Sequence, residues 1–129
     1  MPFILDTSVA INLRDGDPAV AAKVSALNDA ILISVVTRVE LEGGVYREPT
    51  HAALRRARLD EMLSAIPSLA FDDVAADAYG KIVASAGYSR RKLLDRMIAA
   101  HALVHRCTLV TLNPDDFADI PGLRLLAWR

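Results

Sequence analysis

The chain has 129 residues, 53% of them hydrophobic and 24% charged, with a formal net charge of -1. That length supports one hydrophobic core, so a single domain over residues 1–129 is expected, and the charge balance excludes disorder and nucleic-acid binding through bulk positive charge. A lone cysteine, Cys107, excludes an intramolecular disulfide; no leader-like start and no apolar run of roughly 20 residues occurs, so the cytoplasm is the expected compartment, with no membrane contact.

Pro2 to Leu5 reads as a first strand, because a continuous apolar run suits a strand buried on both faces. It stops on Asp6, followed by the hydroxyl residues Thr7 and Ser8. Val9 to Leu13 then reads as a short helical turn that ends at Arg14-Asp15-Gly16. Asp17-Pro18 opens a helix to about Leu27, since Asp caps free amides and Pro tolerates the first helical position. After an Asn28-Asp29 turn, Ala30 to Ile33 is a second strand, and Ser34 caps a helix that passes Glu40 and stops at Gly43-Gly44. Leu54, Ala57, Met62, Leu63 and Ile66 are spaced for an amphipathic helix over Thr50 to Ile66, closed by Pro67, with Arg55, Arg56 and Arg58 outside. Ser34 to Ile66 contains no strand, so these two helices are expected to form an arm beside the sheet, with an apolar face suited to a dimer surface.

Ser68 to Phe71 is a short third strand, and Asp72-Asp73 caps a helix to Gly87. Leu93 to His105 is a further helix, Thr108 to Thr111 a strand, Asp115 to Asp119 a helical turn, and Leu123 to Ala127 a last strand after Pro121-Gly122. Alternating strands and helices predict parallel pairing through right-handed crossovers, hence a three-layer α/β/α sandwich with a mostly parallel sheet of four or five strands.

Most of the sixteen acids have ordinary places at helix starts, in turns or on solvated faces. Four do not fit so easily. Asp6 follows the first strand directly, although a helix cap near Thr7 also accounts for it. Glu40 lies among Val36, Val39, Leu41 and two glycines, although Thr37-Arg38-Val39-Glu40 also fits a T-x-x-E capping box. Asp95 shares the inward face of its helix with Ile98, Ala99 and Ala102, where a partly buried charge needs partners. Asp116 follows the strand that ends at Thr111, with Asn113 and Asp115 competing for a polar role there.

Strand ends of a doubly wound sheet share one edge, so these carboxylates would converge on one crevice. Converging carboxylates repel one another and gain protons unless a cation intervenes. Oxygen-only ligands favour Mg2+, with Mn2+ as a substitute. Phosphodiester hydrolysis suits such a site, since bound divalent ions activate water and stabilise charge on phosphoryl oxygens.

In these residues the chain resembles the PIN-domain ribonucleases, most specifically the VapC toxins of bacterial toxin–antitoxin pairs. The resemblance rests on Phe3 to Val9, Ser34 through Glu40-Leu41 with a following glycine, Asp95 through Ala100, Thr108 to Asn113 with Asp116-Phe117, and Ile120 to Leu123. It implies a Mg2+-dependent endoribonuclease with Asp6, Glu40, Asp95 and Asp116 around the metal and Thr7, Ser8, Thr111 and Asn113 orienting water or carboxylates. Ser8 departs from the Asn often found there, and the fourth polar ligand falls at either Asn113 or Asp116. The resemblance further implies an RNA substrate, products with 5′-phosphate and 3′-hydroxyl ends, a homodimer, and a small antitoxin whose tail occupies the cleft. Beside Asp95, the basic run Ser89-Arg90-Arg91-Lys92 and Arg96 make Arg91 and Arg96 the candidate RNA contacts.

Two other classes fit the sequence less well. An aspartyl-phosphate phosphohydrolase would present Asp6 as nucleophile, but Ser8 stands where its second Asp belongs. A non-catalytic phospho-acceptor module wants an acidic pair after the first strand and a lysine where Leu112-Asn113 follows Thr111. His101 and His105 lack a third ligand for zinc, Gly43-Gly44 is no phosphate loop, 5% aromatics make no stacking platform, and Cys107 has no partner for nucleophilic chemistry.

Overall fold

A computed structural model describes residues 1–128. Its parallel sheet runs β3-β2-β1-β4-β5, built from β1 (Phe3–Leu5), β2 (Ile31–Ser34), β3 (Ser68–Leu69), β4 (Thr108–Thr111) and β5 (Leu125–Ala127). The chain moves outward from β1 to β3, then returns to lay β4 against the free side of β1. That reversal opens a crevice at the carboxyl ends of β1 and β4, where ligands of open α/β sheets bind.

Strand periodicity divides the core into two layers. Leu5, Ile33 and Val110 face one side, where they meet α1 (Thr7–Arg14), α2 (Pro18–Ser25), α3 (Val35–Tyr46) and α4 (Ala52–Ala65). Ile4 and Leu109 face the other, against Ile82 of α5 (Asp73–Ala86) and Ile98, Ala99 and Ala102 of α6 (Leu93–His105). The α/β/α sandwich with a parallel sheet is therefore the expected one. Among the described residues no helix is long and apolar enough to cross a membrane.

Several boundaries differ from the sequence reading for local physical reasons. The first helix starts at Thr7 rather than Val9, because Asp6 accepts the Val9 amide and serves as its N-cap. The third helix runs through Gly43 and Gly44 to Tyr46, its two glycines being carried by packing of Leu41 and Val45 in the core. Thr37 lies inside that helix, buried, and Ser34 is the true N-cap through the Val36 amide, so the T-x-x-E capping box is not formed. A 3₁₀ turn at Pro49–His51 precedes α4, which packs against α1 and α3 and buries Leu59 and Met62, while Leu54 and Ala57, expected on its apolar face, are exposed. The second helix ends at Ser25, the third strand stops at Leu69, and a 3₁₀ turn occupies Pro114–Phe117. The last strand begins only at Leu125.

Arg96 is the largest fully buried side chain, at 2% exposure. Its guanidinium donates through Nη1 to the Gly87 carbonyl and through Nη2 to Asp119 Oδ2 at 3.1 Å, tying α6 to the end of α5 and to the loop before β5. Although burial opposes it, Lys92 and Arg96 together hold the Asp119 carboxyl below the usual range. Arg96 is thus a strut inside the fold and cannot reach RNA, contrary to its reading as an RNA contact. Replacing it, as in Arg96→Ala, removes two charge-assisted hydrogen bonds and a long packed stem, so urea denaturation should show a loss of about 3 kcal/mol. Arg96→Lys should recover little of that loss, because a single ammonium cannot span both acceptors.

Candidate active site

Asp6 stands at the mouth of the crevice, 3% exposed, its amide donating to the Val110 carbonyl at 3.0 Å. Both carboxylate oxygens are engaged. Oδ1 accepts from Ser8 Oγ at 2.6 Å and the Val9 amide at 3.0 Å, while Oδ2 accepts from Thr111 Oγ1 at 2.5 Å. Burial pushes the Asp6 carboxyl up from its ordinary value, and the bonds from Ser8, Thr111 and Val9 pull it back only in part. The cap that sequence offered as an ordinary explanation is real, yet the same carboxylate faces the crevice.

The surrounding hydroxyls form a short relay. Thr7 Oγ1 donates to Glu40 Oε1 at 2.6 Å and lies 3.1 Å from Thr37 Oγ1, holding the half-buried Glu40 carboxylate from α1 and α3 at once. Ser8 Oγ also accepts the Leu112 amide at 3.3 Å, and Thr111 Oγ1 accepts the Asn113 amide at 2.9 Å. These two bonds shape the turn after β4 that carries Asp116, whose amide donates to the Asn113 carbonyl at 3.1 Å. Asn113 itself is exposed, with no side-chain capping bond. Thr37 was missed as part of this relay; its i, i+3 spacing from Glu40, taken for a cap, was the available signal.

Asp95 occupies the first turn of α6, half-buried, and its carboxyl is pushed up to about 6. Desolvation contributes most, followed by the negative charges of Asp116, Asp6 and Glu40, while Arg91 acts in the opposite sense. Asp116, Asp6 and Glu40 therefore all lie within electrostatic reach of Asp95. Among the described residues no three acid, histidine or cysteine side chains are gathered closely enough to hold an ion as they stand. Hydroxyls hold two of the four acids, Asp6 and Glu40, individually. The donor set is all oxygen and carries an excess of negative charge, which fits a hard divalent cation.

His101 is buried, donating Nε2–H to the Ala70 carbonyl at 3.0 Å with Phe71 edge-on at 5.1 Å; it belongs to the core. Trp128 is half-buried, packs on the helix layer and lies 5.8 Å from Lys23 Nζ.

A five-stranded parallel sheet with acids collected at its switch point is the architecture of a nuclease-type α/β domain, and residues 3–123 match the PIN domain. The chain belongs to the PIN-domain family. It is 33% identical over 132 residues, covering 99% of this chain and 98% of the relative, to the tRNA(fMet)-specific endonuclease VapC of Shigella flexneri. It is 30% identical over 135 residues, covering 99% and 98%, to ribonuclease VapC2 of Rickettsia felis. Its structure superposes on DNA-bound VapBC from Salmonella typhimurium with a TM-score of 0.87 at 27% identity, covering 100% of this chain and 99% of the other.

The raised Asp95 carboxyl has a measurable consequence for the protein without divalent ions. A folded-state value near 6 against an ordinary 3.8 means that this group's stability contribution is complete below the ordinary value and is lost as pH rises through about 6. Asp95→Asn cannot ionise, so in EDTA its melting temperature should match that of the unaltered chain near pH 4 and exceed it at pH 7. Equal melting temperatures at both pH values would contradict the electrostatic account.

Proposed function

We propose that this chain is the toxin of a toxin–antitoxin pair, a Mg2+-dependent endoribonuclease that hydrolyses RNA phosphodiester bonds by attack of water. The observation that carries this reading is the Asp95 carboxyl, whose ionisation is opposed first by desolvation and then by the charges of Asp116, Asp6 and Glu40. Asp6 and Asp95 would be the principal residues to hold the metal, with Glu40 and Asp116 contributing directly or through water. When bound, Mg2+ supplies an acidified water near neutral pH and stabilises charge on the phosphoryl and leaving oxygens; Mn2+ can replace it.

The protein's own part is orientation. Thr111 and Ser8 hold the Asp6 carboxylate in one rotamer, and Thr7 does the same for Glu40. In this reading the Glu40 carboxylate, held by Thr7, takes a proton from water. Asn113, exposed beside Asp116, is available to bind the substrate or the hydration shell. Arg91 is exposed and near enough to Asp95 to lower the cost of its charge, which suits a contact with an RNA phosphate at the crevice edge. The names of the relatives, a ribonuclease and a tRNA endonuclease, support RNA as the polymer. Single-stranded loops are the regions of folded RNA open to sequence-specific contact.

A cognate antitoxin is the protein partner, supported by the VapBC complex among the similar structures. Its tail would offer positive charge to the acids. The toxin acts as a homodimer in the cytoplasm. As for the rival reading, an aspartyl-phosphate enzyme needs a second Asp two residues after its nucleophile, and Ser8 stands there, donating to Asp6 Oδ1. No lysine follows β4, where Leu112-Asn113 stands.

Asp6→Asn preserves the helix cap and size of the side chain while removing the charge. Expressed alone, this variant and Asp95→Asn should be non-toxic, and purified they should lose Mg2+-dependent RNA cleavage by about 100-fold or more while circular dichroism stays unchanged. Undiminished cleavage by both variants would rule out the mechanism.

A further inference from the structure

Beside the acid crevice lies a second cavity of about 230 Å³, bounded by α1, α3 and the start of the arm. It shares Thr7 and Glu40 with the crevice, and its remaining charged wall is Arg14, Asp15, Arg47, Glu48 and Arg55, with Gly44 between them. We propose that this cavity binds a phosphodiester of the RNA strand adjoining the one that is cut, with Arg14 and Arg47 as its phosphate contacts. The proposal rests on the ribonuclease reading above.

Arg14 is the central observation. The residue is 6% exposed, an uncommon place for a guanidinium, and its hydrogen bonds satisfy only one edge. Nε and Nη2 share Asp15 Oδ1, each at 3.1 Å, and Asp15 is itself half-exposed. Nη1 makes no hydrogen bond within the described residues and lies toward Gly44, another residue of the cavity wall. A Cβ at position 44 would stand 3.0 Å from it. Gly44 thus has a role unrelated to ending a helix: its missing side chain lets a buried guanidinium lie against α3 with two N–H groups left over. A phosphate oxygen is a fitting acceptor for them.

The cavity wall carries three acids and three arginines, and two of the acids are already paired, Asp15 with Arg14 and Glu48 with Arg55. Arg55 is committed to the Gly44 carbonyl at 3.1 Å and to Glu48 at 3.4 Å, so Glu48 is balanced in place. Arg47 is exposed and makes no ion pair within the described residues, which leaves it as the cavity's uncommitted positive charge. Phosphates recur at every nucleotide, so a strand whose scissile phosphate meets the acids must pass its neighbour along one wall of the crevice. The wall formed by Thr7 and Glu40 leads into this cavity. Phosphate contacts of this kind set register without reading sequence.

The test is the salt dependence of RNA binding, followed by fluorescence anisotropy with a labelled single-stranded RNA of mixed sequence and Ca2+ in place of Mg2+. On single strands each lost phosphate contact lowers the slope of log affinity against log salt by about 0.7, equivalent to about fivefold weaker binding at about 0.1 M salt. Arg14→Gln and Arg47→Ala should each show that change. Arg124→Ala, at the amino-terminal edge of the sheet, should show none. Arg47 is exposed, so its variant keeps the test independent of any folding defect in Arg14→Gln. Unaltered slopes in both variants overturn the proposal while leaving the ribonuclease reading intact. Loss of binding to a Glu-rich peptide, with RNA binding unaffected, would instead assign the cavity to a protein partner and overturn it equally. If the unaltered chain fails to bind RNA at all, the ribonuclease reading fails and the cavity proposal falls with it.

Discussion

The bond from Thr111 to Asp6 joins residues 105 positions apart in sequence, and the site depends on it. It crosses the switch point of the sheet, from the last residue of β4 to the first residue after β1. From Asp6, the same carboxylate reaches the Val9 amide and starts α1, the helix that carries Thr7 toward Glu40. From Thr111, the same hydroxyl accepts the Asn113 amide and bends the chain toward Asp116. One hydrogen bond therefore connects the placement of three acids on three separate elements. A helix cap and an active-site acid are often treated as competing explanations for a residue; at Asp6 they are the same geometry, because a capping carboxylate is held rigid by the helix it starts.

Four carboxylates in one crevice are a standing electrostatic cost. Asp95 carries it most visibly, since it is desolvated and has three negative neighbours. Stability alone would remove such a charge, and a site that keeps it does so at the expense of the fold. The hydroxyl relay of Thr7, Ser8, Thr37 and Thr111 limits that expense. Neutral donors stabilise ionised oxygens without filling the crevice with a competing cation. Had arginine or lysine been placed there instead, the acids would pair internally and lose their affinity for a divalent ion.

Much of this was legible along the chain because it depends on local rules. Apolar runs ending in acids marked β1, and capping residues marked α2 and α5 at Asp17 and Asp72. The parallel pairing also followed from alternation of strands and helices. What stayed hidden depends on long-range packing. Gly43-Gly44 reads as a helix end by propensity, but Leu41 and Val45 bury against Leu5 and Leu59 and carry the helix onward. The capping box at Thr37 to Glu40 failed for the related reason that Ser34 had already started the helix one turn earlier. Spacing put Thr37 and Glu40 on one face correctly; only the partner, Thr7 of another helix, could show why.

Arginines were the least readable residues, and Arg14 and Arg96 explain the reason. Each is almost wholly buried, and neither neighbourhood in sequence announces it. Arg96 follows a basic run and precedes an apolar stretch, so charge patterning placed it with Arg91 at the surface. Helical rotation decides otherwise: one residue beyond Asp95, it turns inward beneath the loop at Gly87 and finds acceptors on both Nη atoms. Arg14 sits at the end of α1 beside Asp15 and Gly16, a place where a solvated side chain is the ordinary expectation. It is drawn under α3 because Gly44 leaves room, and room at that point is a property of two helices rather than of either one. The two arginines then differ in what they have left to give. Arg96 has both terminal nitrogens spent inside the fold, so its charge serves cohesion. Arg14 has spent one edge on a half-exposed carboxylate and keeps the other beside Glu40, where burial strengthens any contact it makes.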